Sequence, residues 1–162
     1  MKNQVGYKSL FDSLDQSFIQ WFVGFTDAEG CFLIKLSRNK VQPMFQIGLH
    51  IDDLPLLEYL KTKLACGYIS SNTEENKANF TISSHSALQG ILLPIFDSFQ
   101  LNTTKYLNYL AFREVINMRT TKDHLTPEGW ARILCLKASM NKVLQSLICL
   151  PTTWSISPGT GC

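Results

Sequence analysis

The sequence predicts an α+β fold: one four-stranded antiparallel sheet covered by helices, in the order αββαββα, with further helices after it. Three observations carry this. Apolar residues recur at helical spacing over 15–28. Two pairs of alternating segments, 31–38 with 44–51 and 66–72 with 77–83, are each joined by polar turn residues. A leucine-spaced segment separates the pairs. Alternating segments with short connections make antiparallel hairpins, and a sheet with one apolar face takes its helices on that face.

The first helix is expected from Asp15 to Ala28, with Ser13 and Gln16 as a capping box and Phe18, Trp21, Phe22 and Phe25 as its apolar stripe. Gly30 suits a left-handed stop. In the next strand Phe32, Ile34 and Leu36 point one way, and Cys31, Leu33, Lys35 and Ser37 the other. The segment SRNKVQP reads as a polar turn, and the strand 44–51 puts Phe45, Ile47, Leu49 and Ile51 opposite Gln46, Gly48 and His50. Asp53 is expected to cap a helix reaching Leu64, with Leu54, Leu57 and Leu60 on its apolar stripe. In the second hairpin, turned at TEEN, Ile69, Phe80 and Ile82 face the core, and Tyr68, Ser70, Asn72, Asn79, Thr81 and Ser83 face outward. A helix capped by Ser84 should be interrupted or ended at Pro94. Helices from about Thr104 to Met118 and from Pro127 to about Leu147 follow, the latter started by Thr126-Pro127-Glu128. Residues 1–150 read as one domain and 151–162 as an irregular tail.

Bulk properties exclude several classes. With 162 residues, 45% hydrophobic and 17% charged, the chain is large enough to bury a core and is not disordered. No signal peptide, transit peptide or membrane span is visible, so secretion and membrane insertion are not expected. The five cysteines are odd in number and lack a CxxC pair, which points to reduced thiols and away from a zinc site. The net charge is only +2, but residues 31–51 hold Lys35, Arg38 and Lys40 without an acid, and 101–143 hold seven basic against three acidic residues. Such clustering suits either a cationic binding surface or ordinary solvated faces.

The chemistry-bearing segment is WFVGFTDAEG at 21–30. Gly24 and Ala28 share one helix face and permit close approach of a second helix. Asp27 and Glu29 lie at the C-terminal end of the helix, where the dipole disfavours acids. A bound cation or plain solvation would relieve them. FVGFTDAEG closely resembles the motif that names the LAGLIDADG endonuclease family, and FQIGLHIDD, LACGYI, TKDHLTPEG and KASMNK resemble the family as found in fungal and algal organelle introns.

The resemblance implies a homodimeric homing endonuclease acting on double-stranded DNA with Mg2+ or another hard divalent cation. The motif helices of two domains would pack at Gly24 and Ala28. Glu29 would be catalytic and bind the metal, Asp27 would support the helix end, and Lys105 is the cation nearest to a basic position of the family. The open sheet face would meet DNA through Lys35, Ser37, Arg38, Asn39, Gln46, His50, Tyr68, Ser70, Asn72, Lys77, Asn79, Thr81 and Ser83. Leu49 departs from the polar Gln common in the family, and the basic position lacks a clean match. Two alternatives stay open: a non-cleaving maturase or ribonucleoprotein subunit binding intron or ribosomal RNA, and one half of a two-motif enzyme. The resemblance also implies a mitochondrial or plastid location.

Overall fold

A computed structural model describes residues 4–38 and 40–140. Its elements are α1 (Gln4–Ser13), α2 (Gln16–Glu29), β1 (Gly30–Ser37), β2 (Lys40–His50), α3 (Leu54–Leu64), β3 (Tyr68–Asn72), β4 (Lys77–Ile82), α4 (His85–Ala87), a π-helical segment (Leu88–Leu92), α5 (Leu93–Ser98), α6 (Lys105–Thr121) and α7 (Pro127–Ser139). The sheet runs β1-β2-β4-β3, every pair antiparallel. The expected αββαββα order is present, preceded by α1.

Helix α1 was not expected. Its apolar stripe is short, but Tyr7 is buried, and Gly90 of the π segment leaves room for it: a Cβ at Gly90 would lie 2.6 Å from that of Tyr7. Ser13 does not open α2; its hydroxyl closes α1 by donating to the Leu10 carbonyl at 2.7 Å. Asp15 is the N-cap of α2, and the Ser17 hydroxyl donates to its carboxylate. Thr126 does cap α7 as expected, accepting from the Gly129 N–H at 3.0 Å. That helix stops at Ser139, where Met140 turns extended, short of the expected Leu147. The expected tail 151–162 lies outside the described residues. Pro94 does not end its helix. The expected interruption is the wider π turn directly before it, and Pro94 falls in the first turn of α5.

Both hairpins form, with tighter register at the first. Ser37 pairs with Lys40, so the turn is two residues and not the seven of SRNKVQP; Arg38 sits there at φ 44°. The second turns at Thr73–Asn76 as read, with Asn72 paired to Lys77.

The core joins α2, β1, β2, α5 and α6 through Phe22, Phe32, Phe45, Phe96, Tyr109 and Phe112, each at most 1% exposed. Their ring centroids lie 5.1 to 6.0 Å apart, with Phe32 tilted against Phe112 and Phe22 edge-on to Phe45. Burying such a side chain contributes about 1.5–3 kcal/mol, so this cluster fixes α2 across the sheet. The Tyr109 hydroxyl donates to Asp97 at 2.7 Å and Arg113 pairs with the same carboxylate at 3.2 Å, tying α6 to α5. Lys105 therefore projects from a held element. Cys135 is an exposed free thiol, as expected for a reduced cysteine. Among the described residues no helix is long and apolar enough to cross a membrane.

Candidate active site and nucleic-acid interface

Helix α2 presents two faces. Phe18, Ile19, Phe22, Val23 and Thr26 are buried against the sheet and helices. Gly24 and Ala28 are exposed, and a Cβ built at Gly24 meets nothing within 4 Å. Beside this bare strip Trp21 stacks on Phe25 at 5.1 Å and meets Tyr59 of α3 at 6.3 Å, with Trp21 41% and Tyr59 45% exposed. Trp21 and Phe25 have the spacing of the apolar stripe, but in the structure they extend the open face.

Gly30 joins α2 directly to β1. Its φ is −73°, so it is extended and not the left-handed stop expected. Glycine is required here for space: a Cβ would lie 2.5 Å from the Thr26 methyl and 2.8 Å from the Thr26 carbonyl oxygen. The close passage brings Glu29 to the mouth of an open cleft of about 680 Å3 that Glu29 and Lys105 share with Gln46, His50, Lys77 and Asn79 of the sheet.

The two acids of the motif part company. Asp27 accepts from the Asn102 N–H at 2.8 Å, and from the Thr103 N–H at 3.1 Å and hydroxyl at 2.7 Å. Burial pushes its carboxyl up, but those donors and the Lys105 charge outweigh burial and hold it below the usual carboxylate range. Asn102 and Thr103 were not foreseen, since backbone donors leave no mark in composition. The Lys105 ammonium donates to the Ala28 carbonyl at 2.7 Å and the Thr26 carbonyl at 3.2 Å. It thus sits on the carbonyl end of α2, where a cation complements the dipole. Burial lowers its pKa, while Glu29 and Asp27 oppose that. The Glu29 side chain is exposed and forms no ion pair among the described residues.

The register arranges the open sheet face in rows. One row is Cys31, Gln46, Thr81 and Tyr68; the next is Gly48, Asn79 and Ser70; the last is His50, Lys77 and Asn72. Lys35, Ser37, Arg38, His50, Tyr68, Ser70, Asn72 and Lys77 are exposed, and Gln46, Asn79 and Ser83 half-buried. Ser83 lies one residue past β4. Thr81 lies in that face as its parity requires, but in central strand β4, between Gln46 and Tyr68, its short side chain is only 3% exposed. Cys31 is also buried. Asn39 lies outside the described residues. Asn72 accepts from the Glu74 N–H at 3.0 Å, His50 pairs with Asp52 at 3.1 Å, and Lys77 approaches Glu75 at 3.9 Å. The tight first turn adds exposed Gln42 and Lys40 to the face, opposite Lys35 and Ser37.

Gly48 leaves room for its cross-strand neighbour, since a Cβ there would meet the Asn79 side-chain Oδ1 at 2.8 Å. Among the described residues no group of three or more His, Cys, Asp or Glu could hold a metal ion. The donor chemistry at the α2 end nevertheless fits a hard cation in part. It offers an exposed carboxylate beside carbonyl oxygens that already hold an ammonium group.

Comparison with known proteins agrees with this arrangement. The pattern of the LAGLIDADG endonuclease family matches residues 22–116. The chain is 34% identical over 136 residues to probable intron-encoded endonuclease 2 of Neurospora crassa, covering 79% of this chain and 29% of that protein. It thus spans under a third of the length of that relative. Among solved structures it is similar to the homing endonuclease I-TnaI, at 32% identity and TM-score 0.72 over 76% of this chain and 87% of that one. I-SmaMI, bound to an uncleaved DNA target in the presence of calcium ions, is 31% identical at TM-score 0.70, over 75% of this chain and 44% of that one. From the motif helix through both hairpins to α6, the chain belongs to the LAGLIDADG endonuclease family.

Proposed function

We propose that this chain is a DNA endonuclease domain that cuts both strands of a long, near-palindromic site once its motif helix is paired with a second one. The observation that carries the reading is the exposed Glu29 carboxylate, set beside a bare helix strip at Gly24 and Ala28 and opening onto the polar sheet face. One carboxylate cannot by itself build a hydrolytic centre. Two copies of Glu29 around a twofold axis, with the scissile phosphates, supply enough hard oxygen donors for Mg2+. That ion would stabilise charge on the phosphoryl and leaving oxygens and make a bound water acidic. The protein itself would orient the duplex through Lys35, Gln46, His50, Ser70, Lys77 and Asn79, and fix Glu29 through Asp27 and Gly30. An organelle intron origin accords with the intron-encoded relative.

A matching half-domain within a longer chain is a second reading for the partner. The chain's span of 44% of I-SmaMI and 29% of the Neurospora relative favours it, whereas its span of 87% of I-TnaI favours a second identical copy.

Exposure to a twofold-symmetric randomised duplex library should yield double-strand breaks in Mg2+ and none in EDTA. Sedimentation with the selected duplex should give two copies per DNA. Ala28→Leu should overfill the strip at a cost of about 1–3 kcal/mol and reduce pairing. Failure to bind any duplex, with folded intron RNA bound instead, would sink the endonuclease reading. A monomer that cuts only when joined to another domain would select the half-domain reading.

A further inference from the structure

The end of α2 already holds a positive charge. A helix leaves its last carbonyls without intrahelical partners; here the Ala28 carbonyl takes the Lys105 ammonium at 2.7 Å, and the Thr26 carbonyl, which also accepts from the Gly30 N–H, takes it at 3.2 Å. They adjoin the exposed Glu29 carboxylate, and both Glu29 and Lys105 line the cleft. Carboxylate and carbonyl oxygens are the donors that hard divalent ions take. The ammonium therefore stands where such an ion would find its ligands, and a like charge so near disfavours the ion.

The backbone beneath Lys105 is fixed, and beyond it the side chain is held through its ammonium on the Ala28 and Thr26 carbonyls. Asp27 holds the Asn102 and Thr103 N–H groups, and the Thr103 hydroxyl oxygen accepts from the Lys105 N–H at 3.3 Å. The four-carbon stem beyond that anchor ends in a compact charge that pairs readily with phosphate. A duplex entering the cleft brings phosphates within the cleft that Lys105 lines.

We propose that Lys105 is a resident counter-cation, seated on the carbonyl end of α2 in the free protein and drawn onto a DNA phosphate when duplex arrives, so that divalent-cation binding at Glu29 waits for DNA. This inference rests on the reading of Glu29 as the cation-binding carboxylate. It makes Lys105 a positioning residue for the order of assembly. Linkage then requires that duplex tighten cation binding and that the cation tighten duplex binding by the same factor.

Mn2+ titration of the full chain, followed by the paramagnetic signal of the free ion, tests this without cleavage. Without DNA, Lys105→Met should bind Mn2+ about tenfold tighter than wild type, a coupling within the usual range. Lys105→Arg, which keeps the charge, should stay at the wild-type value. A mixed-sequence duplex should tighten Mn2+ binding to wild type and do so much less for Lys105→Met. Lys105→Gln, which can still donate to the carbonyls, replaces Lys105→Met if the latter does not fold. Neutral variants binding Mn2+ no tighter than wild type would overturn the proposal. If the tight binding survives in Lys105→Met/Glu29→Gln, the ion sits elsewhere, and it is the Glu29 assignment that fails.

Discussion

Asp27 and Glu29 share a helix end and a charge, yet their surroundings give them opposite work. Asp27 is half-buried and takes three hydrogen bonds from the loop entering α6. Glu29 is exposed and opens onto the cleft. What separates them is the side of α2 on which each lies and the backbone N–H groups that α6 brings to one side only. Formal charge and sequence spacing alone predict two similar acids. The donors decide which one is structural and which remains available to a cation.

The largest expected effect tests the available acid. Glu29→Gln keeps the shape and removes the charge, so metal-dependent cleavage should fall by at least about a hundredfold, with duplex affinity and thermal stability near wild type. Cleavage at the wild-type rate in Mg2+ would move the metal to another ligand.

Gly30→Ala comes next, because it disturbs one acid more than the other. The added Cβ collides with Thr26 at 2.5 Å and must push α2 and β1 apart. A stability loss of about 1–3 kcal/mol is expected, together with slower cleavage, since Glu29 directly precedes the displaced residue. Normal stability in chemical denaturation would show that the passage between helix and strand yields to an added methyl group.

Asp27→Ala removes a carboxylate that satisfies donors ahead of α6, at about 1–2 kcal/mol by analogy with helix capping. The pH dependence identifies its origin. A carboxyl held below its ordinary value contributes stability that is present above the unfolded pKa, near about 4, and lost as pH falls through the lowered folded value. Denaturation at pH 7 and at pH 3 should therefore differ less for Asp27→Asn than for wild type. An unchanged acid limb would mean that Asp27 is not clamped.

Much of this fold was legible in the sequence because apolar alternation and helical spacing are local. Phe32, Phe45 and Phe80 fall on the core face as their parity requires, and the TEEN turn fixes the second hairpin's register. The misses were decided by contacts between distant segments. Helix α1 holds because Gly90 admits Tyr7. At the site, the motif gave Glu29 its place at a helix end. It could not give the clamp from Asn102 and Thr103, which crosses 75 and 76 residues through backbone groups common to every sequence. Thr81 had the right parity for the open face but lies in a central strand, where its neighbours cover it.

The smallest and sharpest test exchanges the two side-chain lengths one at a time. Asp27→Glu keeps the charge but adds a methylene to a carboxylate held by three short bonds, so it should lose part of that geometry and cost about 0.5–1.5 kcal/mol, the net worth of one hydrogen bond. Glu29→Asp keeps the charge but withdraws the carboxylate from the cleft. It touches no donor, so stability should stay within about 0.5 kcal/mol of wild type, as for a surface change, while cleavage slows. The two variants thus predict opposite patterns: stability lost with Asp27→Glu, and rate lost at normal stability with Glu29→Asp. Equal stability losses would erase the distinction, because both acids would then be structural. A Glu29→Asp variant that cuts normally would instead show that the metal tolerates the shorter reach, and would leave only the Asp27 half of the contrast standing.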